Sequence, residues 1–297
     1  MIPVLASAAF LAAVGVWIVY HKTDEVLIPG ILPNANTPED LGLRFERVSF
    51  EASDGAPLAG WWVPAQGGAS GKTVVCCHGW GTNSGDILPS TAFLAREGFN
   101  LFYFDFRGCG ESPRSGLCSL GLYEKRDLDG ALAYLRKTRP AESLRIGLFG
   151  LSMGAVTVLA AAAKGDSIPG AYLEAPFADF DEVIARYIRY HFYLPRFPFA
   201  MLYTLIIRAR TGFAPHDDVS PWKTSAACRI PRVRLVYGES DWLALPADGD
   251  RLLETLRAGG VQADLWKAPE AGHADIFGRH PQAYREKLAE FFKSALV

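Results

Sequence analysis

An α/β fold with a mostly parallel sheet and helices on both faces is predicted by three observations. From Lys72 onward, short apolar runs alternate with longer amphipathic stretches, the rhythm of right-handed strand–helix–strand crossovers. The chain is 49% hydrophobic and only 21% charged, enough apolar material for a substantial core. Its 297 residues exceed the usual domain size, but α/β folds reach that length as one unit.

The elements follow in order. Residues 1–20 carry no charged side chain, and 17 of the 20 are hydrophobic. Some twenty apolar residues at helical rise match the hydrocarbon thickness of a bilayer, and Trp17, Tyr20, His21 and Lys22 close the run as an interface would require. The segment reads as an uncleaved, single-pass membrane anchor. A cleaved signal peptide fits less well because no basic residue precedes Ile2, and a buried core helix is the third reading. Lys22, Arg44 and Arg47 all follow the segment, which places the body on the cytoplasmic side. Residues 21–43, with Pro29, Gly30, Pro33, Pro38 and Gly42, read as a linker or extended lead-in without a helix.

The remainder, 44–297, reads as one domain. Arg44 to Phe50 and Leu58 to Val63 flank Ser53-Asp54-Gly55, the signature of an antiparallel hairpin. Strands are predicted at Thr73–Cys77, Phe99–Asp105, Arg145–Phe149, Ala171–Glu174, Arg232–Tyr237 and Ala263–Trp266. Helices are predicted near 86–97, 121–137, 153–164, 247–258 and 281–295. Residues 177–220 separate two strands by far more than one crossover helix needs, and read as a helical cap insertion.

Composition excludes several classes of function. A net charge of −2 leaves no global basic field for nucleic acid, and the apolar fraction excludes disorder. The 5 cysteines include the adjacent pair Cys76-Cys77 and no C-x-x-C, so neither a disulfide framework nor a zinc ribbon is expected; they read as small buried hydrophobes. No cofactor and no metal is called for. Gly71-Lys72-Thr73 lacks the first glycine of a P-loop, and the glycines after His78 and Arg107 lack the third glycine of a dinucleotide fingerprint. His216-Asp217-Asp218 reads as a solvated edge of the insertion in preference to a metal site. Nothing specifies an oligomeric state.

One set of residues carries chemistry. Gly150-Leu151-Ser152-Met153-Gly154 follows a predicted strand and opens an Ala-rich helical stretch. A serine there sits on a sharp turn that lifts its Oγ above the sheet edge, flanked by glycines because a Cβ would collide with the neighbouring strand and helix. A hydroxyl becomes a useful nucleophile when a base takes its proton. His273, after the last strand, supplies the base, and Asp241, after the strand Arg232–Tyr237, supplies the carboxylate that orients it. The chain order is Ser152, Asp241, His273, with all three in loops at one sheet edge. Cys77-His78-Gly79-Trp80-Gly81 follows the first parallel strand, and its backbone can aim an N–H at the site. Trp80 and Met153 are the expected oxyanion donors, with Gly81 the competitor of Trp80.

With these pieces the chain resembles an α/β-hydrolase from about Arg44 to Phe292. The run Asp105-Phe106-Arg107-Gly108-Cys109-Gly110-Glu111-Ser112 is similar to that of the esterase, serine-aminopeptidase and monoacylglycerol-lipase-like branch. An anchor before such a body resembles membrane-associated α/β-hydrolase-domain proteins, some of which are acyl-protein thioesterases or lipid hydrolases. One departure is the run from Asp241 to Pro246, one residue longer than that branch's D-x-x-V-P.

Other residues compete for these roles. Glu174, at a strand end, is the alternative acid; Asp248 and Asp250 read as helix-face charges. His78 reads as structural, its ring bonded to backbone, and Arg107 as an organiser of loops. Within the insertion, 185–210 holds seven Phe or Tyr residues, five arginines and no carboxylate. That composition suits a cap over an apolar pocket, and contact with an anionic membrane surface is compatible with it. The expected function is a serine hydrolase cleaving an ester or thioester of an apolar acyl substrate, lipid or acyl-protein, at a lipid bilayer. A peptidase or amidase on the same residues, and a non-catalytic membrane adaptor, are the rival readings.

Overall fold

The computed structural model describes residues 2–162 and 167–297, and, within the first helix, the side chains of residues 7, 10 and 13–22. Its strands are β1 (Glu46–Glu51), β2 (Pro57–Val63), β3 (Lys72–Cys77), β4 (Asn100–Phe104), β5 (Arg145–Leu151), β6 (Gly170–Glu174), β7 (Arg232–Gly238) and β8 (Gln262–Ala268). They form one sheet in the order β1-β2-β4-β3-β5-β6-β7-β8. The expected hairpin is present, with Glu51 opposite Pro57, and β2 also pairs antiparallel with β4. From β4 through β8 every pairing is parallel.

Period-two alternation sends successive side chains to opposite faces of the sheet and so builds two cores. Val75, Cys77, Phe102 and Phe104 belong to one; Val74, Cys76, Leu101 and Tyr103 to the other. Adjacent cysteines thus face opposite ways, and all five are free and buried as expected. Burial pushes the Cys109 thiol up to about 12 and the other four upward as well.

The helices, in chain order, begin with α1 (Ile2–Lys22), α2 (Asp24–Leu27), α3 (Ser84–Thr91), α4 (Glu124–Thr138) and α5 (Met153–Ala161). The predicted helix 153–164 ends at this point, and its last two residues lie outside the described ones. Next come the insertion's α6 (Phe180–Phe192), α7 (Met201–Thr211) and single turn α8 (Pro215–Asp218). A turn α9 (Pro221–Thr224), then α10 (Pro246–Ala258), the turn α11 (Ile276–Arg279) and α12 (Pro281–Ala295) complete the set. Leu88 of α3 and Tyr284, Leu288 and Phe292 of α12 pack in one core, Leu128 of α4, Val156 of α5 and Leu252 of α10 in the other, so helices cover both faces.

Among the described residues no helix is long and apolar enough to cross a membrane, and many of the side chains of the expected anchor lie outside them. Residues 21–43 are not a free linker: α1 runs on to Lys22, α2 follows, and a 3-10 turn covers Pro38–Leu41. Val26 and Leu27 are buried, because donors of the body bond the carbonyls of this stretch and hold it down. Proline and glycine predict an extended chain correctly for much of its length, but they say nothing about what that chain packs against.

Candidate active site

Ser152 stands at the end of β5 and N-caps α5 with φ 51° and ψ −114°, a strained conformation for a residue with a side chain. The flanking glycines make the turn affordable. A Cβ on Gly150 would lie 2.7 Å from Ala155 of α5, and one on Gly154 would lie 2.2 Å from the Cys77 carbonyl oxygen. The turn is held from beneath by the Ser152 N–H, which donates to the Glu174 carbonyl at 2.7 Å.

The other two residues come from neighbouring parallel strands. His273 Nε2 lies 3.0 Å from Ser152 Oγ, and His273 Nδ1 lies 2.8 Å from Asp241 Oδ2. Asp241 is 3% exposed, and its second oxygen accepts the N–H groups of Leu243 and Ala244 at 2.8 and 2.9 Å. Those two bonds account for the longer run before Pro246: the extra residue is folded into a turn around the carboxylate, ahead of α10. Gly238 brings the two loops together, since a Cβ there would lie 2.2 Å from the Ala271 carbonyl oxygen.

The structure thus joins Ser152, His273 and Asp241 in one hydrogen-bonded line and leaves the alternatives outside it. Glu174 faces away, accepting the Tyr284 hydroxyl at 2.6 Å in a buried site that pushes its carboxyl up to about 7. Asp248 pairs with Arg186 at 2.7 Å and accepts the Leu245 N–H at 3.0 Å, while Asp250 pairs with Lys267. His78 has its Nδ1 2.7 Å from the Gly79 carbonyl and accepts the Phe106 N–H on Nε2, so both ring nitrogens serve the backbone. Burial lowers its pKa.

The Asp105–Ser112 run is a loop organiser. Asp105 accepts the N–H groups of Ser84 and Glu111 at 2.7 and 2.8 Å, and a Cβ on Gly110 would lie 2.1 Å from its Oδ2. Arg107 bridges Asp127 and Asp54. Hydrogen bonding to Arg107 holds the Asp54 carboxyl down at about 2; burial lifts Asp127 to about 6, so the bridge is ionic at neutral pH.

A cavity of about 290 Å³ opens above Ser152. Gly79, Trp80 and Met153 line it beside the serine, and a Cβ on Gly79 would lie 3.7 Å from Ser152 Cβ. The cap covers it with Val183, Ile184 and Tyr187 of α6, and Trp242 closes the side by Asp241. No carboxylate among the described residues lines this cavity. A larger hollow of about 580 Å³ lies on the outer side of the cap, away from Ser152. At its edge His216 meets Asp179 and Asp181, the one group of donors among the described residues close enough to share a cation. Asp179 there already caps α6 and accepts the Trp222 indole at 2.8 Å, so the cluster has a structural use.

Comparison with known proteins agrees with this architecture. The Pyrococcus furiosus esterase Pf2001 superposes with a TM-score of 0.76 at 25% identity, covering 91% of this chain and 100% of that one. The chain has the α/β-hydrolase fold. Within this fold, residues 68–210 match the family described as serine aminopeptidase, S33. The Uncharacterized protein YfhR of Escherichia coli O157:H7 is 29% identical over 84% of this chain and 81% of its own. The Uncharacterized membrane protein YNL320W of Saccharomyces cerevisiae is 26% identical over 61% of this chain and 64% of its own.

Proposed function

We propose that this α/β-hydrolase is a serine esterase or thioesterase acting on an apolar acyl group. The line from Ser152 Oγ through His273 to the buried Asp241 carries the reading. Ser152 attacks the carbonyl carbon while His273 Nε2 takes its proton, and the oxyanion forms against the Trp80 and Met153 amides. His273 then protonates the departing alcohol or thiol. Water, deprotonated by the same imidazole, attacks the acyl-serine and releases the acid. The apolar cavity wall supports an acyl substrate. An aminopeptidase has a free amino group to receive, and the cavity wall offers it no carboxylate among the described residues.

The deciding experiment is labelling with a fluorophosphonate probe. Wild-type protein is expected to label and Ser152→Ala to lose the label; label retained in the variant excludes Ser152 as nucleophile, and an unreactive wild type favours the adaptor reading.

A membrane setting belongs to the proposal. Apart from Leu144 and Val297, the large apolar side chains exposed among the described residues lie between Phe10 and Leu41 or between Tyr190 and Leu205. These two stretches meet: Tyr203 Oη donates to the Lys22 carbonyl at 2.7 Å, and Arg210 lies over the Tyr20 ring. Exposed apolar patches with basic neighbours favour an anionic lipid surface, here with α1 as the anchor and the body on the cytoplasmic side.

A further inference from the structure

The stretch between α1 and β1 is bonded to the body through its own backbone. Trp80 Nε1 donates to the Val26 carbonyl at 2.9 Å, and the Cys118 N–H donates to the Leu27 carbonyl at 2.8 Å. Arg114 Nη2 donates to the Pro29 carbonyl at 2.5 Å, and Asn83 Nδ2 reaches the Leu32 and Pro33 carbonyls at 3.1 and 3.2 Å. The Gly85 N–H donates to Asn34 Oδ1 at 3.0 Å. Most of these bonds read main-chain oxygens, so the path of the segment is set without its side chains. Val26, 4% exposed, is therefore held where its side chain forms part of the cavity wall over Ser152, beside Trp80, Leu120 and Tyr187.

We infer that residues 23–36 are a strap that closes one wall of the acyl cavity, and that Val26 sets which acyl groups fit. This rests on the esterase reading and adds to it a specificity residue from outside the parallel α/β core. The Val26 backbone also steadies the proposed oxyanion side, because its carbonyl holds the indole of Trp80, the proposed donor. A larger side chain at 26 takes volume from a cavity of about 290 Å³. Each methylene it excludes from burial in the transition state lowers kcat/KM about fourfold. A long acyl chain loses several such contacts and an acetyl group none.

The test uses the full chain and p-nitrophenyl esters from acetate to decanoate. Val26→Phe is expected to lower the octanoate-to-acetate ratio of kcat/KM at least tenfold, to a degree set by the methylenes excluded. Val26→Ala is expected to hold or raise that ratio. Val26→Leu, with one added methylene, gives a smaller fall and stands in if phenylalanine prevents folding. Leu27→Ala loosens the strap at a buried position off the cavity and is expected to leave the ratio unchanged. Ratios equal to wild type in all the Val26 variants overturn the inference. So does a Leu27→Ala shift as large as that of Val26→Phe, which would make the effect one of strap mobility. A wild type that hydrolyses no ester and takes no fluorophosphonate overturns the esterase reading beneath it.

Discussion

Two carboxylates end neighbouring strands, and one bond each separates their roles. Asp241 faces His273 Nδ1 at 2.8 Å, whereas Glu174 is turned to Tyr284. Asp241→Asn presents the imidazole with an amide and the wrong tautomer, so kcat is expected to fall on the order of 10⁴-fold. Glu174→Gln leaves kcat near wild type, and the reverse order in ester hydrolysis would exchange the assignments. Glu174 has a second signature. Burial raises its folded pKa from the ordinary 4.5 to about 7, so the native state holds a proton that the unfolded chain has released. Its contribution to stability is present below about pH 4.5 and is lost as pH rises through about 7. Urea unfolding of Glu174→Gln against wild type is expected to show the variant gaining relative stability between these limits; a difference constant with pH would refute the raised pKa.

At the scale of elements, the elbow is a junction of β5, α5 and β3 that tolerates no side chain at Gly154. A methyl group there would meet the Cys77 carbonyl at 2.2 Å, and backbone cannot yield as a flexible side chain can. Gly154→Ala is expected to cost about 1–3 kcal/mol or more through overpacking, read as a lower urea midpoint, with fluorophosphonate labelling of Ser152 slowed as the turn shifts. A variant with wild-type midpoint and labelling rate would mean that α5 is not seated on β3 as described. The cap is an element of another kind. Its inner residues Val183, Ile184 and Tyr187 line the cavity, while Tyr193, Phe197 and Met201 are exposed, so one insertion offers apolar surface both to the cavity and to the outside.

For the whole molecule, the proposed anchor, strap and cap form one connected unit. Arg210 of α7 pairs with Asp24 and donates to the Tyr20 carbonyl and Thr23 hydroxyl, tying the end of α1 to the cap. Carbonate extraction of membranes is expected to leave the full chain in the pellet; release into the supernatant would refute the anchor. Flotation with vesicles of anionic and of neutral lipid is expected to favour the anionic ones, because the 185–210 stretch has five arginines and no carboxylate. Equal flotation would remove the electrostatic part of the proposal.

Much of this was legible in local sequence. The alternation of apolar runs predicts all eight strands to within a few residues, since the period of burial is written directly into a chain whose strands lie between helices. The serine between two glycines was legible for a similar reason: a tight turn restricts residue type at the turn itself. Contacts between distant segments carry no such local mark. The prolines and glycines of 21–43 announce an extended chain, yet only the fold shows Trp80, Asn83, Arg114 and Cys118 bonding its main-chain carbonyls and its Val26 set over Ser152. Gly238 and the turn around Asp241 are of the same kind. The sequence by itself determined the α/β class, the sheet edge where the chemistry collects and the candidates Ser152, Asp241 and His273. Only the tertiary structure decided between Asp241 and Glu174 as the partner of His273 and which segment walls the cavity. Main-chain carbonyls are common to every residue, so a contact made through them leaves no trace in the sequence.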